Sequence, residues 1–194
     1  MVTAANDKEF KETLRVGNAG EERFKQWINR YPHLELEDKS ADSKYQQEDI
    51  DFIITNRTTG KQTTVELKTD TYHGVNLFIE LTDGERGNWT APGWLYKSKA
   101  EQLAYYFING NKTSNSNLFI INLPELRESI QELNLQTREV KNTRNQRGEQ
   151  KVKKGALLPI RTLLKLPVLI SAHQVQHDDR IVNNYLTIKQ GGAK

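Results

Sequence analysis

Ionisable side chains placed on a β-strand between apolar strands constrain this 194-residue chain more than any other feature. Residues 50–55 read as a strand, 56–61 (NRTTGK) as a turn and 62–69 (QTTVELKT) as a second strand, which together make a β-hairpin. On the second strand Glu66 and Lys68 share one face and Val65 and Leu67 the other, because residues i and i+2 point the same way. Pairing across the hairpin brings Asp51 beside Glu66. Charges in such a place cost stability unless paired or liganded. Two adjacent carboxylates repel, and a divalent cation lets both stay ionised. Oxygen donors favour Mg²⁺ or Mn²⁺ over zinc. A solvent-facing cross-strand salt bridge between Glu66 and Lys68 is the competing reading, and the hairpin alone does not choose.

The flanking segments complete a pattern. Residues 7–30 read as a helix with Phe24, Trp27 and Ile28 as its apolar stripe, opening near Asn18 as N-cap. Residues 31–48 are loop-like with one short strand. A third strand is expected over 75–81 and a Gly/Pro/Trp-rich loop over 82–96. Ser98-x-x-Glu101 is a capping box for a helix over 99–109. A strand over 117–123, apolar enough for burial on both faces, precedes a helix opened by Pro124.

Asp51, fourteen residues, then Glu66-Leu67-Lys68 resembles the D…(D/E)xK core of the PD-(D/E)xK nuclease superfamily. Gly17-Asn18-Ala19-Gly20-Glu21 resembles the G-x-x-G-E helix opening of its Holliday-junction-resolvase-like members, and Gln102 to Tyr106 the Q-x-x-x-Y of RecB-like ones. The resemblance covers roughly residues 15–123. Ile50 stands where many members carry proline.

The resemblance implies an α/β fold with a restriction-endonuclease-like αβββαβ core, a central mixed β-sheet flanked by helices. It implies that Asp51, Glu66 and the Leu67 carbonyl hold Mg²⁺ or Mn²⁺, with Glu21 assisting. Lys68 then positions or activates a water that cleaves DNA to leave a 5′-phosphate. It further implies a DNA endonuclease, with a homodimer as the expected assembly because many relatives dimerise. A RecB-like exonuclease, or a non-catalytic nucleic-acid-binding protein keeping the fold, are the alternatives. Gln102 and Tyr106 are candidate DNA contacts, with half-buried packing as the equal reading for Tyr106.

Net charge is +3 with pI near 9.0. Residues 138–154 hold seven Lys/Arg against two Glu, a net of +5, so the rest of the chain is −2. Arg144, Arg147, Lys151, Lys153 and Lys154 are therefore candidate phosphate contacts. The stretch is either a hairpin turning at 145–148 or a solvated basic loop. Asp49 is a fallback ligand. Glu80 reads as an exposed charge. Trp89 and Trp94 offer base stacking, with core anchoring expected of at least one. His173 and His177 have helical metal spacing but read as part of a polar tail, 171–194, behind a nuclease domain over 1–170.

The chain has no cysteine, which excludes disulfides and Cys nucleophiles and fits a cytoplasmic protein. No apolar run approaches a membrane span, and MVTAANDKEF lacks a signal core. Neither a phosphate-binding GxxxxGK[ST] loop nor a G-x-S-x-G elbow occurs.

Overall fold

The computed structural model describes residues 4–71, 74–85, 88–108, 116–141, 152–175 and 181–184. It opens with α1 (Ala4–Ile28), then β1 (Leu34–Asp38), the short α2 (Ser43–Gln47), β2 (Phe52–Asn56) and β3 (Gln62–Asp70). Next come β4 (Asn76–Glu85), β5 (Asn88–Pro92), α3 (Trp94–Lys97), β6 (Gln102–Phe107) and β7 (Ser116–Asn122). The order closes with α4 (Leu123–Glu132), β8 (Thr137–Lys141), β9 (Val152–Pro159), α5 (Ile160–Leu163), β10 (Leu169–Val175) and β11 (Ile181–Asn184).

The chain is a mixed α/β protein with two sheets. The larger has seven strands in the order β1-β2-β3-β6-β7-β10-β11, and the smaller four in the order β5-β4-β9-β8. β1, β2 and β3 form an antiparallel meander; β6 runs parallel to β3, with Lys68 opposite Tyr105. A parallel pair needs a long crossover. Here β4, β5 and α3 supply it.

The large sheet separates two cores. On one face, Phe24, Trp27 and Ile28 of α1 pack on Phe52, Val65, Leu67, Ala104, Tyr106 and Leu118. On the other, Leu103, Tyr105 and Ile121 pack against Leu77 and Ile79 of β4, Leu95 of α3, Leu126 of α4 and Leu158 of β9. The stripe expected on the first helix and the two-sided burial of 117–123 are both realised. Asn122 caps α4, accepting from Glu125 N–H at 3.2 Å, with Pro124 in its first turn.

Several expectations are corrected. Residues 102–107 are a strand, not part of a helix over 99–109. Gln102 to Phe107 alternates between the two cores, and both faces are buried, which a helix on a sheet surface cannot offer. The capping-box residues have other roles. Ser98 Oγ donates to Asp49 O at 2.8 Å, and Glu101 Oε2 accepts from Thr64 N at 2.9 Å. The strand expected over 75–81 exists as β4, but in the small sheet; the third strand of the meander is supplied by Leu34–Asp38. α1 runs through Asn18 without a break, so Asn18 is no N-cap. β8 and β9 form the hairpin reading of the basic stretch, while Arg144, Arg147 and Lys151 lie outside the described residues. Residues 169–175 and 181–184 are strands of the large sheet, so the described part of 171–194 is no tail.

Gly20 is where α1 touches β3. A Cβ built there would lie 1.9 Å from Thr69 Oγ1. Gly20→Ala is expected to push the helix off the sheet and cost about 1–3 kcal/mol, read by chemical denaturation, because a well-packed contact has no room for a methyl. Gly17→Ala is the control, since nothing lies within 4 Å of the added carbon. Equal stability of the two variants would show that this close approach does not seat the helix.

Candidate metal and catalytic site

β2 begins at Phe52, but β3 runs on past that point. Asp51, one residue before β2, meets the unpaired continuation of β3. Its N–H donates to Val65 O at 2.9 Å, and its Oδ2 accepts from Leu67 N–H at 2.7 Å. The carboxylate thus takes the place of the missing strand partner. The N–H and C=O of one strand residue point the same way, so the Leu67 carbonyl faces the same open side as its N–H.

Glu66, Lys68 and Asp70 follow one another at the period of two, on the face opposite α1. Glu66 is 2% exposed and pairs directly with the Lys68 ammonium; its other oxygen, Oε2, is buried without a hydrogen-bond partner. Burial pushes the Glu66 carboxyl up to about 8, against the pull of Lys68, and Asp51 and Asp49 add to the rise. Burial lowers Lys68, but Glu66, Asp51 and Asp49 outweigh it and hold the ammonium above the ordinary lysine range. The solvent-facing salt bridge is excluded by the burial of Glu66.

Glu21 enters from α1, one residue beyond the Gly20 contact. Burial raises its carboxyl, and the neighbouring charges of Asp51 and Asp38 raise it further. Glu21 thus joins the site on the Asp51 side. Asp38 was not legible as a member, because β1 had no clear pattern; it also accepts from Lys25 Nζ at 3.1 Å and Ser40 Oγ at 2.7 Å. Asp49 takes a left-handed backbone (φ 46°) and pairs with Lys97 at 2.5 Å. Arg127 donates to the Leu95 and Ser98 carbonyls, which holds the α3 segment against this turn. Tyr105, buried opposite Lys68, donates to Asp70 Oδ2 at 3.0 Å and accepts from Phe78 N–H at 3.2 Å, tying β3 to the small sheet. The i+2 spacing after Lys68 was the available signal for Asp70.

The remaining candidates fall elsewhere. Gln102 and Tyr106 sit on the α1 side of β6, away from Glu66 and Lys68, and Tyr106 is fully buried, so its packing reading holds. Glu80 is not an exposed charge: it is 7% exposed and pairs with Lys153 at 2.6 Å. Lys153 is thereby occupied, whereas Lys154 and the exposed Arg138 and Lys141 remain on the small sheet. Trp94 is a core anchor at 6% exposure; Trp89 is half-buried on β5. His173 lies on β10 against the Trp27 ring, and His177 is outside the described residues.

The donor set suits a hard divalent cation: carboxylates of Asp51 and Glu66, a carbonyl at Leu67, Glu21 alongside, and a buried carboxylate oxygen lacking a partner. As they stand, no three acidic or histidine side chains among the described residues are gathered into a cation cage. Lys68 occupies one oxygen of Glu66 instead. Among the described residues no helix is long and apolar enough to cross a membrane. Comparison with known proteins finds no family model, no curated protein and no solved structure that matches this chain.

Proposed function

We propose that this chain is a Mg²⁺- or Mn²⁺-dependent DNA endonuclease of the PD-(D/E)xK kind. One observation carries the reading. Asp51, Glu66 and Lys68 interact at the point where β3 outruns β2, and a buried carboxylate oxygen there has no partner. The element order adds support: a helix, an antiparallel meander and a strand parallel to its last member resemble the superfamily core, although strands and a short helix replace the long crossover helix.

Asp51, Glu66, the Leu67 carbonyl and Glu21 would hold the cation. When bound, it supplies Lewis-acid polarisation of a phosphate and a more acidic water. The chain's own residues do the rest. Asp51, held by the Leu67 N–H, presents its carboxylate in a fixed direction. Lys68 provides a charged donor for the attacking water or the phosphate oxygen. Arg138, Lys141 and Lys154 offer charge for the DNA backbone. Cleavage of both strands by a homodimer belongs to the same reading. The exonuclease alternative loses the support it drew from Gln102 and Tyr106, which face the other core.

The test is nicking of supercoiled plasmid with Mg²⁺, with Mn²⁺ and with chelator. Cation-dependent nicking is expected. A cation-induced rise in melting temperature without cleavage of supercoiled, linear, single-stranded or branched DNA would favour the non-catalytic binder instead.

A further inference from the structure

Asp49 precedes Asp51 by two residues and is the one non-glycine residue with positive φ (46°) among the described residues. Aspartate tolerates that backbone better than most residues, yet such strain persists only where the surroundings enforce it. Here three consecutive residues do so. Lys97 Nζ pairs with Asp49 Oδ1 at 2.5 Å, Ser98 Oγ donates to Asp49 O at 2.8 Å, and Lys99 N–H donates to Glu48 O at 2.7 Å. Trp94, Leu95 and Ser98 are buried, so the segment that makes these bonds is itself fixed.

The carboxylate so placed lies beside the proposed cation site. Its charge acts on both Glu66 and Lys68, as that of Asp51 does. Two ammonium–carboxylate pairs therefore stand close together, Lys68 on Glu66 and Lys97 on Asp49. Each leaves one carboxylate oxygen without a hydrogen-bond partner among the described residues, Oε2 of Glu66 and Oδ2 of Asp49. The lysines bring two positive charges to carboxylates that would otherwise repel, and a divalent cation brings the same charge in one atom. Lys97 is loosely held. Its side chain is 48% exposed against 19% for Asp49, and an ion pair with a half-exposed lysine contributes little.

We propose that Asp49 is a further carboxylate of the cation site and that Lys97 is its built-in counter-ion, which competes with the cation for it. The proposal rests on the cation site of the nuclease reading and adds two residues from outside its motif. Ser98 and Lys99 bond the backbone of the turn, so Asp49 keeps its place when the Lys97 ammonium leaves.

Calorimetric titration of the full chain with Mn²⁺ alone, at one pH, reads the competition as a pair of opposite shifts. Asp49→Asn keeps the side chain's shape and its tolerance of positive φ, and is expected to weaken Mn²⁺ binding roughly 10- to 100-fold. Lys97→Gln is expected to tighten it about 5-fold, the Coulomb effect of one positive charge removed at about 4 Å in water. Lys97→Arg, which keeps the charge, should bind as the wild type does. On the Asp49→Asn background Lys97→Gln should add little, since a lysine without its anchor sits in solvent. An ion pair that serves the fold alone would move both single variants the same way, with a lower melting temperature and no tightening. Weaker or unchanged binding in Lys97→Gln, or unchanged binding in Asp49→Asn, would overturn the inference. If Glu66→Gln still abolishes Mn²⁺ binding in that case, the cation site stands without Asp49. A wild-type chain that binds no Mn²⁺ overturns both.

Discussion

Lys68→Ala is expected to reduce plasmid nicking by roughly 10²–10⁴-fold, the range for one well-placed proton-transfer or charge-stabilising group. Nucleic-acid affinity, measured by fluorescence anisotropy in chelator, should stay nearly unchanged, because the charge proposed to track phosphates lies elsewhere, at Arg138, Lys141 and Lys154 on the small sheet. The variant should also fold at neutral pH. Removing the ammonium leaves Glu66 at 2% exposure, and burial already favours its neutral form. Glu66→Gln is the companion, since it keeps the shape and removes the charge. It should lose both nicking and stabilisation by Mn²⁺. Unchanged turnover in Lys68→Ala would remove the proposed mechanism, whereas loss of DNA affinity in parallel with turnover would make Lys68 a binding residue.

The second large effect is a linkage between pH and the cation. Glu66 is pushed up to about 8 by burial, with Asp51 and Asp49 contributing, and Glu21 is raised by burial, Asp51 and Asp38. A carboxyl raised in the folded state keeps a proton that the unfolded chain has already released. Its contribution to stability is complete below the ordinary carboxylate value and is lost as pH rises through about 8. Without cation, the melting temperature should fall from about pH 5 to about pH 9, by about 2–4 °C for each kcal/mol lost. With Mn²⁺ the trend should reverse, because a cation on Glu66 needs the ionised form and expels its proton. Calorimetry in buffers of different ionisation enthalpy reads that proton directly. A cation-free melting temperature that stays flat over this range, with no proton released on Mn²⁺ addition, would mean that Glu66 is ionised throughout and that the cation binds elsewhere.

Much of the architecture was legible because it depends on local pattern. The β2–β3 hairpin, the α1 stripe, the buried β7 and the Pro124 helix start each show in a few consecutive residues. The misreading at 99–109 has a clear cause. Ser98 and Glu101 satisfy a capping box, but Gln102 to Phe107 lies between two cores, and burial on both faces outweighs a local cap. β1 was faint because its side chains are mostly exposed or half-buried, with a burial pattern that has no clean alternation. Its Asp38 therefore escaped notice, although its charge acts on Glu21.

The amino-acid order by itself determined that Glu66 and Lys68 share a face and that Asp51 can meet them, since strand pleat and hairpin pairing are short-range geometry. Only the tertiary structure decided the consequences. The small sheet and α3 complete the core on the Glu66 side of the large sheet, which sets the Glu66 carboxyl far above its ordinary range. The same long-range packing turned Gln102 to the opposite face. Burial depends on what the rest of the chain brings against a strand, and that is settled by contacts between residues dozens of positions apart.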